Sequence, residues 1–167
     1  MNAARRKLRR AGSLLIVLTA LALPPQALAG AQVPLKGSDS GGFGPGAHSC
    51  PSGYDPLDID GTGNATHLGN YTYHADECFN GTSLAFYGTF TMTAANGDTI
   101  VGRYAGEVPP FVGAIAVYEQ DAEVSRGTGR FAGASGEFHV SVIANLATGD
   151  YTQTMSGTVS SPGAAKK

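Results

Sequence analysis

Tryptophan is absent from this 167-residue chain, cysteine occurs twice, and Asp, Glu, Lys and Arg together supply only 14% of the residues. Each shortage argues against a class of function. The two cysteines fall in no C-x-x-C pair, so neither a dithiol redox centre nor a thiolate metal cluster is indicated. There is no G-x-S-x-G elbow and no S-x-x-K, and nucleophilic catalysis finds no motif to rest on. Basic residues are scarcer than their total implies. Of 11 Lys and Arg against 13 Asp and Glu, five (Arg5, Arg6, Lys7, Arg9, Arg10) lie within residues 1–29, which leaves 6 against 13. A remainder near −7 lacks the basic stripe that holds phosphates, and nucleic acid is not an expected partner.

Long apolar runs are missing too. SLLIVLTALAL, after the basic MNAARRKLRR, covers about eleven residues, too few to cross roughly 30 Å of hydrocarbon as a helix. Basic, apolar, then the small-x-small Ala27–Ala29 is the order of a secretory signal peptide. Residues 1–29 are therefore read as a signal peptide on a secreted or periplasmic protein with no membrane span after cleavage. Residues 30–49 are Gly/Ser/Pro-rich and read as a flexible lead segment. Residues 50–160 form the folded domain, and 161–167 a disordered tail. In an exported chain Cys50 and Cys78 read as a disulfide, closing a loop of about 28 residues and contributing about 3–4 kcal/mol.

What is present is glycine, 24 residues of it, and threonine, valine and aromatics spaced at a period of two. In SLAFYGTFTMT (83–93), Leu84, Phe86, Phe90 and Met92 share one face and the alternate residues the other. Asn96-Gly97 supplies a tight turn, and TIVGRYAGEV returns with Ile100 and Tyr104 opposite Arg103 and Glu107. A second hairpin follows the same plan. Phe138, Val140 and Val142 face inward, Gly149-Asp150 turns, and Tyr151, Met155 and Val159 face inward again. Two more strands are placed at 111–119 and 122–126 and another within 65–79, its faces unassigned. The sum is an all-β fold, a single antiparallel barrel of about eight strands, since an open sheet would expose an edge and one apolar face.

RGTGRFAGASGEF (126–138) resembles a phosphate-binding loop until its sequel is read. EFHVSVIANL alternates as a strand, so no helix N-terminus meets a phosphate. Gly127, Gly129, Gly133 and Gly136 are read instead as structural glycines where the wall bends around Phe131, which plugs one end. The stretch resembles the G-[ST]-G-x-F-x-G-x-x-G segment of allene oxide cyclase and dirigent-type barrels. It is similar also to a family of exported bacterial β-barrel proteins, in which Gly63–Gly69 and Ala95–Asp98 have counterparts. The resemblance implies an eight-stranded antiparallel barrel; no catalytic residue of the cyclases can be matched.

Phe86, Phe90, Met92, Tyr104, Phe138, Val140 and Met155 are the expected ligand-cavity lining, and equally the side chains of a plain packed core. His67, between glycines, is the candidate polar group at a pocket mouth, against a merely structural hydrogen bond. The seven-residue interval from His67 to His74 suits no zinc motif, and with His48 and His139 they read as four unrelated histidines. DPLDIDGTGN (55–64) fails as an EF-hand and reads as a solvated acidic turn. No metal or cofactor is expected. The function expected is non-catalytic binding of a small apolar ligand or a surface partner. The alternatives are a cyclase or isomerase with an apolar cavity, using His67 or Tyr104, and a structural envelope or matrix protein. An open apolar cavity with an inward polar group would favour binder or enzyme over structural element.

Overall fold

The computed structural model describes residues 31–161; the expected signal peptide lies outside the described residues, as does the tail beyond Ser161. Eight strands run β1 (Gln32–Pro45), β2 (Asp55–Ala65), β3 (Gly69–Phe79), β4 (Ala85–Ala94), β5 (Thr99–Glu107), β6 (Ile115–Gly127), β7 (Gly136–Asn145) and β8 (Asp150–Ser160). Each pairs antiparallel with its neighbour in sequence, and β1 pairs with β8 to close the barrel. The one helical turn among the described residues is a 3-10 turn at Gly129–Phe131.

The two hairpins read from alternation stand as expected, except that Leu84, expected on the inward face of the first strand, precedes β4 in the 80–84 loop with a φ of 62° and is half-buried. Phe86, Phe90 and Met92 on β4 and Ile100 and Tyr104 on β5 are buried, while Arg103 is exposed. Three assignments need correction. The supposed flexible lead is β1, bonded on both sides through Gly37–Pro45 to β2 and Gln32–Gly42 to β8. Its ladder is backbone to backbone, so it needs few apolar side chains. Its glycines also suit tight neighbours: a Cβ on Gly37 would sit 2.6 Å from the Ala65 Cβ. The supposed acidic turn at 55–64 is β2, with Asp58 and Asp60 outward and Leu57 and Ile59 inward toward the cavity. The two strands placed at 111–119 and 122–126 are one continuous β6, which slips register by one residue opposite Val101/Gly102.

The rims differ. One carries the short turns 66–68 and 95–98 and the glycine segment 128–135. There Phe131 enters the barrel and is fully buried, with Ala134 beside it. Gly127 makes the entry possible, because a Cβ there would meet the Phe131 Cβ at 2.7 Å. Gly129 and Gly133 take positive φ (56° and 78°), and Gly136 opens β7 against Val159 of β8. Arg130 lies over the Phe131 ring and donates to the Leu68 carbonyl. This end is closed. The other rim carries 46–54, 80–84, 108–114 and 146–149, and has no such plug.

Candidate functional site

Inward positions near the closed rim hold Leu35, Met92, Ile100, Val124, Val140 and Val159, all buried and packed in one cluster with Phe131. Toward the other rim the same strands enclose a cavity of about 440 Å³. Phe43, Leu57, Ile59, Phe79, Phe86, Val108, Ala116, Val142 and Ala144 form its walls, and Phe111 and Leu146 stand at its mouth. Those last two are 37% and 47% exposed, so the cavity opens to solvent.

Its floor is polar. Glu77 arrives on β3 in the inward register of Tyr71, Tyr73 and Ala75, and is only 5% exposed. The Tyr104 hydroxyl donates to Glu77 Oε2 at 3.0 Å. Gly88 leaves the space for that phenol, since a Cβ there would lie 2.7 Å from the Tyr104 hydroxyl. Burial pushes the Glu77 carboxyl up to about 7, with the Tyr104 hydrogen bond pulling the other way. Burial, and then the charge of neighbouring groups, drives the Tyr73, Tyr104 and Tyr118 phenols well above their ordinary range, so they remain donors. Gln120 also lines the cavity, and its buried Oε1 has no protein partner.

Beneath this floor lies a second buried carboxyl. Tyr71 donates to Asp39 Oδ2 at 2.6 Å and Gln153 Nε2 donates to the same oxygen at 2.9 Å. Burial raises the Asp39 pKa, and the Tyr71 and Gln153 hydrogen bonds only partly oppose it. Gln153 lines the cavity on its other side and links the two levels.

The expected site residues separate into two groups. Phe86 and Tyr104 line the cavity; Phe90, Met92, Phe138, Val140 and Met155 are buried outside its lining, in the packed interior. His67 is exposed in the β2–β3 turn with a φ of 66°, at the closed rim and far from the cavity mouth. Cys50 and Cys78 are joined, with Cα atoms 5.7 Å apart. The four histidines are not all unrelated. His48 and His74 approach the same carboxylate, Asp76, at 3.5 and 3.6 Å, while His139 sits apart between Glu119 and Asp121. The hydrogen bond to Asp60 raises the His74 pKa, and that to Asp121 raises the exposed His139.

Glu77, Asp39, Gln120 and Gln153 escaped the sequence reading. For two of them a signal existed. Glu77 and Asp39 are acids standing in the odd-numbered, inward register of their strands, where a surface acid has no place.

No family model matches the chain. No curated protein matches it in sequence. Among solved structures it is similar to a pterocarpan synthase dirigent protein, with a TM-score of 0.56 and 12% identity over 80% of this chain and 87% of that one. At that identity the likeness is one of fold.

Proposed function

We propose that this is an exported barrel protein that binds a small, mostly apolar molecule in the open half of its interior, without catalysis. The observation carrying this reading is the cavity: apolar walls over a floor of a carboxyl, phenols and two amides. Its volume lies in the range of small-molecule sites, and few polar groups on an apolar wall is their usual composition. The unpartnered Gln120 Oε1 asks for a donor, so the favoured ligand carries a hydroxyl on an apolar body. The N-terminal basic–apolar–small pattern and the disulfide support export. Among the described residues no helix is long and apolar enough to cross a membrane.

A second reading, a cyclase or isomerase, is favoured by one feature, the Glu77–Tyr104 pair set where a bound molecule would end. Such a pair can hold and move a proton in a water-poor site. The likeness to a dirigent protein named a synthase supports either reading equally.

Thermal unfolding in the presence of hydroxylated terpenoids and fatty alcohols tests binding, with native mass spectrometry reporting the stoichiometry. A one-to-one ligand at a hundred times its Kd should raise Tm by about 10 °C. Gln120→Leu should reduce the shift for the alcohol more than for the parent hydrocarbon. If no member of the set binds or shifts Tm, the cavity reading is lost. Chromatography of the recovered ligand separates the two readings, since only an enzyme returns it rearranged.

A further inference from the structure

On the outer wall, away from the cavity, Asp58 of β2 stands directly opposite Asp76 of β3, and Asp60 opposite His74. Like charges at directly opposed ladder positions destabilise a sheet unless something cationic lies between them. His48, carried by the β1–β2 connection, brings Nδ1 to 3.1 Å from Asp58 Oδ1 and 3.5 Å from Asp76 Oδ1. Its other nitrogen, Nε2, is 3.0 Å from the Glu77 carbonyl oxygen. A carbonyl only accepts, so Nε2 carries a proton, and without a second proton Nδ1 joins the two carboxylate oxygens as a third acceptor. Three acceptors converging on one point is the arrangement of a metal site. His74 repeats the pattern: Nδ1 is bonded to Asp60 at 2.8 Å, and Nε2 faces the same Asp76 oxygen.

We infer that His48, Asp58 and Asp76 bind a divalent transition cation of the zinc class, with His74 flanking Asp76. The three donor atoms lie within 4.8 Å of one another. Tetrahedral ligands at about 2.0–2.2 Å from zinc are separated by about 3.4 Å, close to the 3.1 and 3.5 Å found here. A carbonyl behind one imidazole and a carboxylate behind the other are the outer partners that orient metal-binding histidines. The site is also built to stay open. A Cβ on Gly46 would lie 2.5 Å from Asp58 Oδ1 and 2.9 Å from His48 Nδ1, so any side chain there would fill it. The Cys50–Cys78 bridge and the bond from Gly46 N to the Pro56 carbonyl fix the connection that presents His48. Both sulfurs are near His48, but a disulfide offers no thiolate. An imidazole with two carboxylates suits zinc over calcium, which takes six to eight oxygens.

Isothermal titration of the metal-free, oxidised protein with zinc chloride at pH 7.5 tests the assignment. One equivalent should bind, and the cobalt form should show the visible absorption of a four-coordinate ion. His48→Gln and Asp76→Asn should each weaken zinc roughly tenfold or more, while His67→Ala and His139→Ala leave it unchanged. Circular dichroism checks the fold of each variant. Asp58→Asn, on the outer face of a paired strand, decides the matter should His48→Gln fail to fold. No zinc binding overturns the inference. So does binding that survives His48→Gln and Asp76→Asn, binding lost with His139→Ala, or calcium bound as tightly as zinc.

Discussion

Met92, Ile100, Val124 and Val140 lie toward the closed rim of the barrel, and Phe86, Tyr104, Gln120 and Ala144 occupy the same strands toward the open one. Alternation is identical in both regions, so alternation does not decide which half is solid. Two things do. The glycine segment folds an extra aromatic, Phe131, into the closed half, while the loops of the other rim hold Phe111 and Leu146 at the edge. And inward positions of the open half carry groups that must hydrogen-bond, which fixes their spacing and prevents tight interlocking. Stability is concentrated in one half and chemistry in the other.

That division can be broken most directly at the plug. Phe131→Ala should cost about 3–5 kcal/mol, whereas Leu146→Ala at the mouth should stay within about 0.5 kcal/mol. Urea unfolding of the two variants would report it, and equal losses would mean the halves share the load.

The polar floor gives a comparable effect through pH. Burial moves Glu77 from 4.5 to about 7 in the folded chain, which therefore holds that proton more tightly than the unfolded chain. Its contribution is most favourable below about pH 4.5 and is lost as pH rises to about 7, by roughly 3 kcal/mol in all. Glu77→Gln keeps the shape and an acceptor for the Tyr104 hydroxyl. Unfolding midpoints at pH 5 and pH 8 should therefore lie closer together in this variant than in the parent. An unchanged gap would assign the dependence elsewhere, with Asp39 the next group to replace.

Glycines give the smallest and most local contrast. Gly127→Ala forces a Cβ against Phe131 and the Thr99 carbonyl, and should cost about 1–3 kcal/mol. Gly44→Ala on β1, with no atom within 4 Å of the new Cβ, should be nearly neutral. Thermal midpoints suffice to separate them.

The hairpins β4–β5 and β7–β8 were legible because most of their inward residues are large and their outward ones polar or small, with threonines recurring along β4 and β8. β1 was not, because its inward column runs Leu35, Gly37, Asp39, Gly41 and Phe43, too sparse in apolar groups to mark a period. β2 was hidden the same way by Gly61 and Gly63, with outward aspartates that imitate a turn. The cavity itself was beyond reach. Phe86 and Phe90 are identical in type and two pleats apart on one strand, and only the closing geometry decides that the first lines a cavity and the second fills a core. His48 and Asp76 lie 28 residues apart and meet only because β2 and β3 pair.

The bond between the first strand and the last has a kinetic side. During synthesis β1 is made long before β8 exists, and until then one of its edges has no partner. Such an edge invites pairing with other chains, and long-range closure is the slow step of β folding. A strand of glycine, serine and single scattered apolar groups is poorly suited to stick to a stranger. The weak pattern that conceals β1 from inspection is thus what lets it wait.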